Sequence, residues 1–113
     1  MKNIPYGKQK ISEQDIEAVA AVLRSDWLTT GPAVAEFECV AKDFVGAAHG
    51  VAVSSGTAAL HCAMYAIGVA PGDEVIVPAM TFAATANSVV FQGGVPIFVD
   101  VDEDTLLLNA EQV

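Results

Sequence analysis

The stretch Val51-Ala-Val-Ser-Ser-Gly-Thr-Ala-Ala-Leu60 carries the residue types best suited to chemistry. A short β-branched apolar run stops at Ser54-Ser55-Gly56-Thr57, and an alanine-rich segment with helical spacing begins at once. That pattern predicts a strand, a tight turn and a helix start. A helix start leaves backbone N–H groups without intrahelical partners, and the macrodipole adds partial positive charge there. The hydroxyls of Ser54, Ser55 and Thr57 supply further donors, and the small side chains let an anion approach the backbone. A phosphate-bearing cofactor or substrate suits such a turn. A plain Ser-capped helix after a strand would look the same in sequence and bind nothing.

The other polar residues admit blander readings. His61 falls one turn inside the alanine-rich helix and reads as a packed or half-exposed imidazole; His49 reads as a loop residue. Asp100, Asp102, Glu103 and Asp104 form an acidic run that reads as a solvated loop rather than a metal site. Cys39 and Cys62 lack CxxC spacing and any histidine at ligand spacing, so both are expected as buried free thiols in a reducing compartment.

Elements to position the turn follow from periodicity. Ser12 with Asp15 resembles a capping box, and Ile16, Val19, Ala20 and Leu23 repeat at helical spacing, so residues 13–25 read as an amphipathic helix. Pro32 suits a first helical position, and the apolar pattern from Val34 to Val45 predicts a second helix ending near Gly46. Strands are expected at 50–54, 74–78 and 95–99, with helices from Gly56 to about Ile67 and from about Ala83 to Gln92 between them. Asn109 reads as the cap of a further helix that begins as the sequence stops at Val113, which suggests the N-terminal piece of a longer protein. The order β-α-β-α-β after two helices predicts an α/β protein with parallel strands. The domain reading is an arm with two helices over 1–49 and an incomplete α/β unit over 50–113.

Composition narrows the function classes. The chain has 113 residues, 53% hydrophobic and only 17% charged, so part of its surface reads as normally covered. The net charge of −9, with four lysines and one arginine, argues against nucleic acid and acidic membrane surfaces as partners, because both need clustered cations. The opening Met-Lys-Asn-Ile-Pro-Tyr has no apolar signal core, and no run approaches the length of a membrane span. A cytoplasmic, soluble protein is the expectation.

Several motifs fall in a recognisable order: Ile4-Pro-Tyr-Gly7, Trp27-Leu-Thr-Thr-Gly-Pro32, Phe37-Glu38, Ser54-Ser-Gly-Thr-Ala-Ala-Leu60, Pro71-Gly-Asp-Glu74, Pro78-Ala-Met-Thr-Phe-Ala-Ala-Thr-Ala-Asn87 and Val99-Asp-Val-Asp102. Together they resemble the N-terminal third of the nucleotide-sugar aminotransferases of the DegT/StrS type, pyridoxal-phosphate (PLP) enzymes of fold type I. The opening is most similar to transaminases that form a UDP-linked 4-amino-4,6-dideoxy-N-acetyl-altrosamine.

The resemblance implies the first part of a three-layer α/β/α large domain. It implies that Gly56, Thr57 and Ala58 hold the cofactor phosphate, that Phe82 stacks on the pyridine ring, and that Tyr6, Thr29 and Thr30 lie near the sugar nucleotide. Without the resemblance, Phe82 reads as a core aromatic and the threonines as turn hydroxyls. It further implies an amino-acid donor, typically glutamate, and a homodimer with active sites built from both subunits. Transamination also needs a lysine for the cofactor aldehyde and a carboxylate for the pyridinium nitrogen. Lys2, Lys8, Lys10 and Lys42 all precede the phosphate turn, and in the family both groups come beyond position 113. Residues 1–113 alone are therefore expected to be inactive. Two rivals stay open: a sugar dehydratase of the same family, with histidine replacing the lysine, and a non-catalytic phosphate-binding module. The second lacks both GxGxxG and GxxxxGK[ST].

Overall fold

The computed structural model describes Pro5 and residues 7–113. The chain divides into two compact units, one ending at Ala52 and one covering Val53–Val113.

The first unit holds α1 (Glu13–Leu23) and α2 (Pro32–Val45). α1 begins with a complete capping box: Ser12 Oγ accepts the Asp15 N–H at 3.3 Å, and the Asp15 carboxylate accepts the Ser12 N–H at 2.7 Å. Aspartate thus serves where glutamate is usual. Pro32 occupies the first turn of α2, and Gly46 ends it at φ 69°, a left-handed conformation that costs glycine little. The segment after α2 is tied back to it. The Ala52 N–H donates to Glu38 Oε1 at 2.8 Å, and a Cβ at Gly50 would lie 2.8 Å from the Glu38 carbonyl oxygen. Neither helix has a buried residue.

The second unit runs α3 (Gly56–Ala66), β1 (Glu74–Pro78), α4 (Ala84–Phe91), β2 (Val95–Val99) and a 3-10 turn at Ala110–Gln112. β1 and β2 pair in parallel with Glu74 opposite Val95 and Pro78 opposite Val99. α4 connects them and packs on both strands and on α3. This β-α-β arrangement is the core of an α/β fold. Val77, Ala84, Val89 and Val99 are buried around it, with Ser88 beside them. Gly94 permits the close packing: a Cβ there would lie 2.9 Å from Val69 Cγ1 and 3.0 Å from Val89 Cγ1. Among the described residues no helix is long and apolar enough to cross a membrane.

Three expectations need correction. Residues 50–53 form no strand, because no described segment pairs with them; a strand closes its hydrogen bonds only on a neighbour. Cys39 and Cys62 are free but exposed, since no layer covers the outer faces of α2 and α3. The segment at Asn109 is a single 3-10 turn, in which Asn109 Oδ1 does accept the Glu111 N–H at 2.9 Å.

Candidate functional site

The Ser54–Ala58 turn is built by α3 alone. Ser55 is extended and caps the helix: its Oγ accepts the Ala58 N–H at 3.1 Å, and its carbonyl accepts the Ala59 N–H at 3.0 Å. The Ser55 hydroxyl, expected as a donor to an anion, thus acts as an acceptor within the protein. That leaves the N–H groups of Gly56 and Thr57 and the Thr57 hydroxyl without protein partners among the described residues. A Cβ at Gly56 would meet nothing within 4 Å, so the turn is open. No lysine or arginine follows Lys42. Within this unit an anion would be held by backbone N–H groups, the hydroxyl and the helix dipole rather than by a cation. An anion taking the Ala58 N–H would compete with the Ser55 cap.

Phe82 lies in the loop between β1 and α4, is 78% exposed, and is not part of the core. The loop is anchored at one end by the Ala79 N–H on the Val99 carbonyl at 2.8 Å. At the other, the Phe82 carbonyl accepts the Thr85 N–H at 3.0 Å, and the Thr81 and Thr85 hydroxyls pair at 2.8 Å. Gly56, Thr57 and Ala58 open α3, and Phe82 lies in the loop that leads into α4, the helix packed on α3; no hydrogen bond joins the Phe82 loop to the Gly56 turn among the described residues. Thr81 and Thr85 recur at helical i,i+4 spacing, a signal in the sequence that only the loop geometry makes meaningful.

Thr29 and Thr30 lie in the α1–α2 loop of the first unit, both exposed. Thr30 has φ 47°, a left-handed conformation that strains a β-branched residue and marks this loop as special. Tyr6 lies outside the described residues.

His61 is half-buried on α3, and its ring meets Phe91 of α4 with centroids 4.6 Å apart. Its Nε2 is buried without a partner among the described residues. Asp102 organises the acidic loop. Its Oδ1 accepts the Thr105 N–H at 2.9 Å, the Thr105 hydroxyl at 2.9 Å and the Asp104 N–H at 3.2 Å. These bonds, the Thr105 backbone N–H first, hold its carboxyl below the ordinary 3.8. Among the described residues no group of three or more histidine, cysteine, aspartate or glutamate side chains is placed to hold a metal ion.

The model of the DegT/DnrJ/EryC1/StrS aminotransferase family matches residues 9–113. The UDP-4-amino-4-deoxy-L-arabinose–oxoglutarate aminotransferase of Shewanella sediminis (strain HAW-EB3) is 49% identical over 106 residues, which are 94% of this chain and 27% of that protein. A sugar aminotransferase from Streptococcus pneumoniae, solved in its PLP-form, superposes with a TM-score of 0.88 at 38% identity, covering 97% of this chain and 28% of its own. GDP-4-keto-6-deoxymannose-3-dehydratase, solved with a trapped PLP-glutamate geminal diamine, reaches a TM-score of 0.87 at 30% identity over 96% of this chain and 30% of its own. The chain thus spans a little over a quarter of the length of the relatives it matches, and its fold is that of their matching part. With the parallel β-α-β unit and the capped turn at Gly56 in place, the match over 9–113 shows that this chain belongs to the DegT/DnrJ/EryC1/StrS aminotransferase family.

Proposed function

We propose that the protein carrying this chain is a PLP-dependent aminotransferase that moves an amino group from glutamate to a keto-sugar nucleotide. The observation that carries this is the open, Ser55-capped start of α3, with the Gly56 and Thr57 N–H groups unpartnered, inside the family match. Those donors fit the phosphate of PLP: they are neutral, convergent on a helix terminus and unobstructed at Gly56. PLP, when bound, supplies the electron sink that transamination needs.

The chain's own residues bind and orient. Gly56 and Thr57 take the phosphate, with Ala58 sharing its N–H between that phosphate and Ser55. Phe82 covers the face of the ring, a use that fits an aromatic left exposed beside a polar loop. Tyr6, Thr29 and Thr30 contribute to the sugar-nucleotide site. Residues 50–113 form the first part of the cofactor domain, and 1–49 an arm with two helices. The four lysines all precede residue 50 and receive no role, so residues 1–113 by themselves position the cofactor without moving protons. The whole protein acts as a homodimer. A glutamate donor agrees with the oxoglutarate in the Shewanella relative's name, and a 4-amino product agrees with its sugar.

A dehydratase is the second reading, supported by the fold shared with the GDP-4-keto-6-deoxymannose enzyme. The test uses the whole gene product with PLP, glutamate and a UDP-linked 4-keto sugar. Formation of an amino sugar together with 2-oxoglutarate is expected. Loss of a sugar hydroxyl without amination would favour the dehydratase. Nucleotide binding with no spectral response to PLP would overturn both.

A further inference from the structure

We infer that Thr85 is a positioning residue for the cofactor ring, acting through the loop that presents Phe82. This rests on the reading of Phe82 as the ring-covering residue. Ala83, the N-cap of α4, has no side chain that could accept a hydrogen bond, so the junction between loop and helix lacks the usual cap. Thr85 does that work from inside the first turn. Its backbone N–H donates to the Phe82 carbonyl at 3.0 Å, and its hydroxyl pairs with the Thr81 hydroxyl at 2.8 Å. The two bonds hold the residue before Phe82 and Phe82 itself. Thr85 is in turn anchored from the core: its carbonyl accepts the Ser88 hydroxyl at 2.8 Å, and Ser88 is 1% exposed.

A connected path therefore runs from buried Ser88 through Thr85 to Thr81 and Phe82. The hydroxyl pair is the sole side-chain hydrogen bond between loop 79–83 and α4 among the described residues. The Phe82 ring has no packing to fix it, being mostly exposed, so its backbone must be fixed instead. Valine at position 85 would keep the β-branched shape and the backbone bond but lose the hydroxyl; serine would keep the hydroxyl.

The experiment titrates the whole gene product with PLP and follows the absorbance and induced circular dichroism of the bound cofactor, with thermal unfolding of the apo-protein alongside. Thr85→Val is expected to weaken PLP binding about five- to tenfold, because the exposed Phe82 loop loses the bond that pre-orders it, and to reduce the induced dichroism. The apo unfolding midpoint should stay in place, and Thr85→Ser should restore binding. Thr81→Val should match Thr85→Val, and the double variant should be no worse than either, because both remove one shared bond.

Thr85→Val that binds PLP like the wild type, while Phe82→Ala weakens binding, would overturn the role of Thr85 and leave the stacking role standing. Phe82→Ala without effect would overturn the stacking role itself. A lowered midpoint with no rescue by serine would make Thr85 merely structural. Should Thr85→Val fail to fold, exposed Thr81 tests the same bond from its other end.

Discussion

The β1–α4–β2 corner and the α1–α2 region are made of similar residues and end in opposite states. In the corner, Val77, Ala84, Val89 and Val99 are buried and Gly94 is wedged between Val69 and Val89. In the helical region Ile16, Val19, Leu23, Phe37, Val40 and Phe44 are all exposed, on helices with sound caps and good apolar periodicity. Hydrophobic content does not separate the two regions. What separates them is a second layer: α4 lies on a sheet, whereas α1 and α2 bury no residue.

Substitutions at the corner should have the largest effect. Val89→Ala empties space in the β1–α4–β2 core and should cost about 2–3 kcal/mol in the denaturant unfolding of the whole gene product. Gly94→Ala would push a Cβ to 2.9 Å from Val69 Cγ1 and 3.0 Å from Val89 Cγ1, and should cost about 2 kcal/mol by overpacking. A neutral result at both positions would erase the contrast with α1.

Ile16→Ser on α1 sharpens the comparison. In the 113-residue chain, where Ile16 is 52% exposed, it should change stability by less than about 0.5 kcal/mol. In the whole gene product, if further layers cover that face, the same change should cost about 1–2 kcal/mol. Equal small effects in both would show that α1 stays bare.

The smallest effect is on pH. Asp15 is held below the ordinary 3.8, first by the Ser12 backbone N–H and then by the Ser12 hydroxyl. A depressed folded-state value means the carboxylate stabilises the fold above 3.8 and loses that contribution as pH falls through the lowered value. Acid titration of helical circular dichroism should show a slight loss below pH 3.8 that Asp15→Asn abolishes. A titration identical in both forms would remove the capping box as its origin.

The features legible from sequence share a cause. The starts of α1, α2 and α3, the ends at Gly46 and near Ile67, and both paired strands were read from caps, glycines, prolines and apolar spacing. The capped turn at Gly56 was readable because its Ser-Gly-Thr pattern is local to one helix start. The fate of residues 50–54, the exposure of Cys39 and Cys62, the acceptor role of Ser55 and the Thr81–Thr85 bond were not.

By itself, then, the sequence determined the helices, the turn at Gly56 and the family, since a helix closes its hydrogen bonds within its own segment and caps are chosen within a few residues. The tertiary structure decided which apolar faces became core, which extended segment became a strand, and how Phe82 is presented. Those outcomes depend on a partner distant in the chain or on one side chain's orientation towards another, and no spacing along the sequence encodes either.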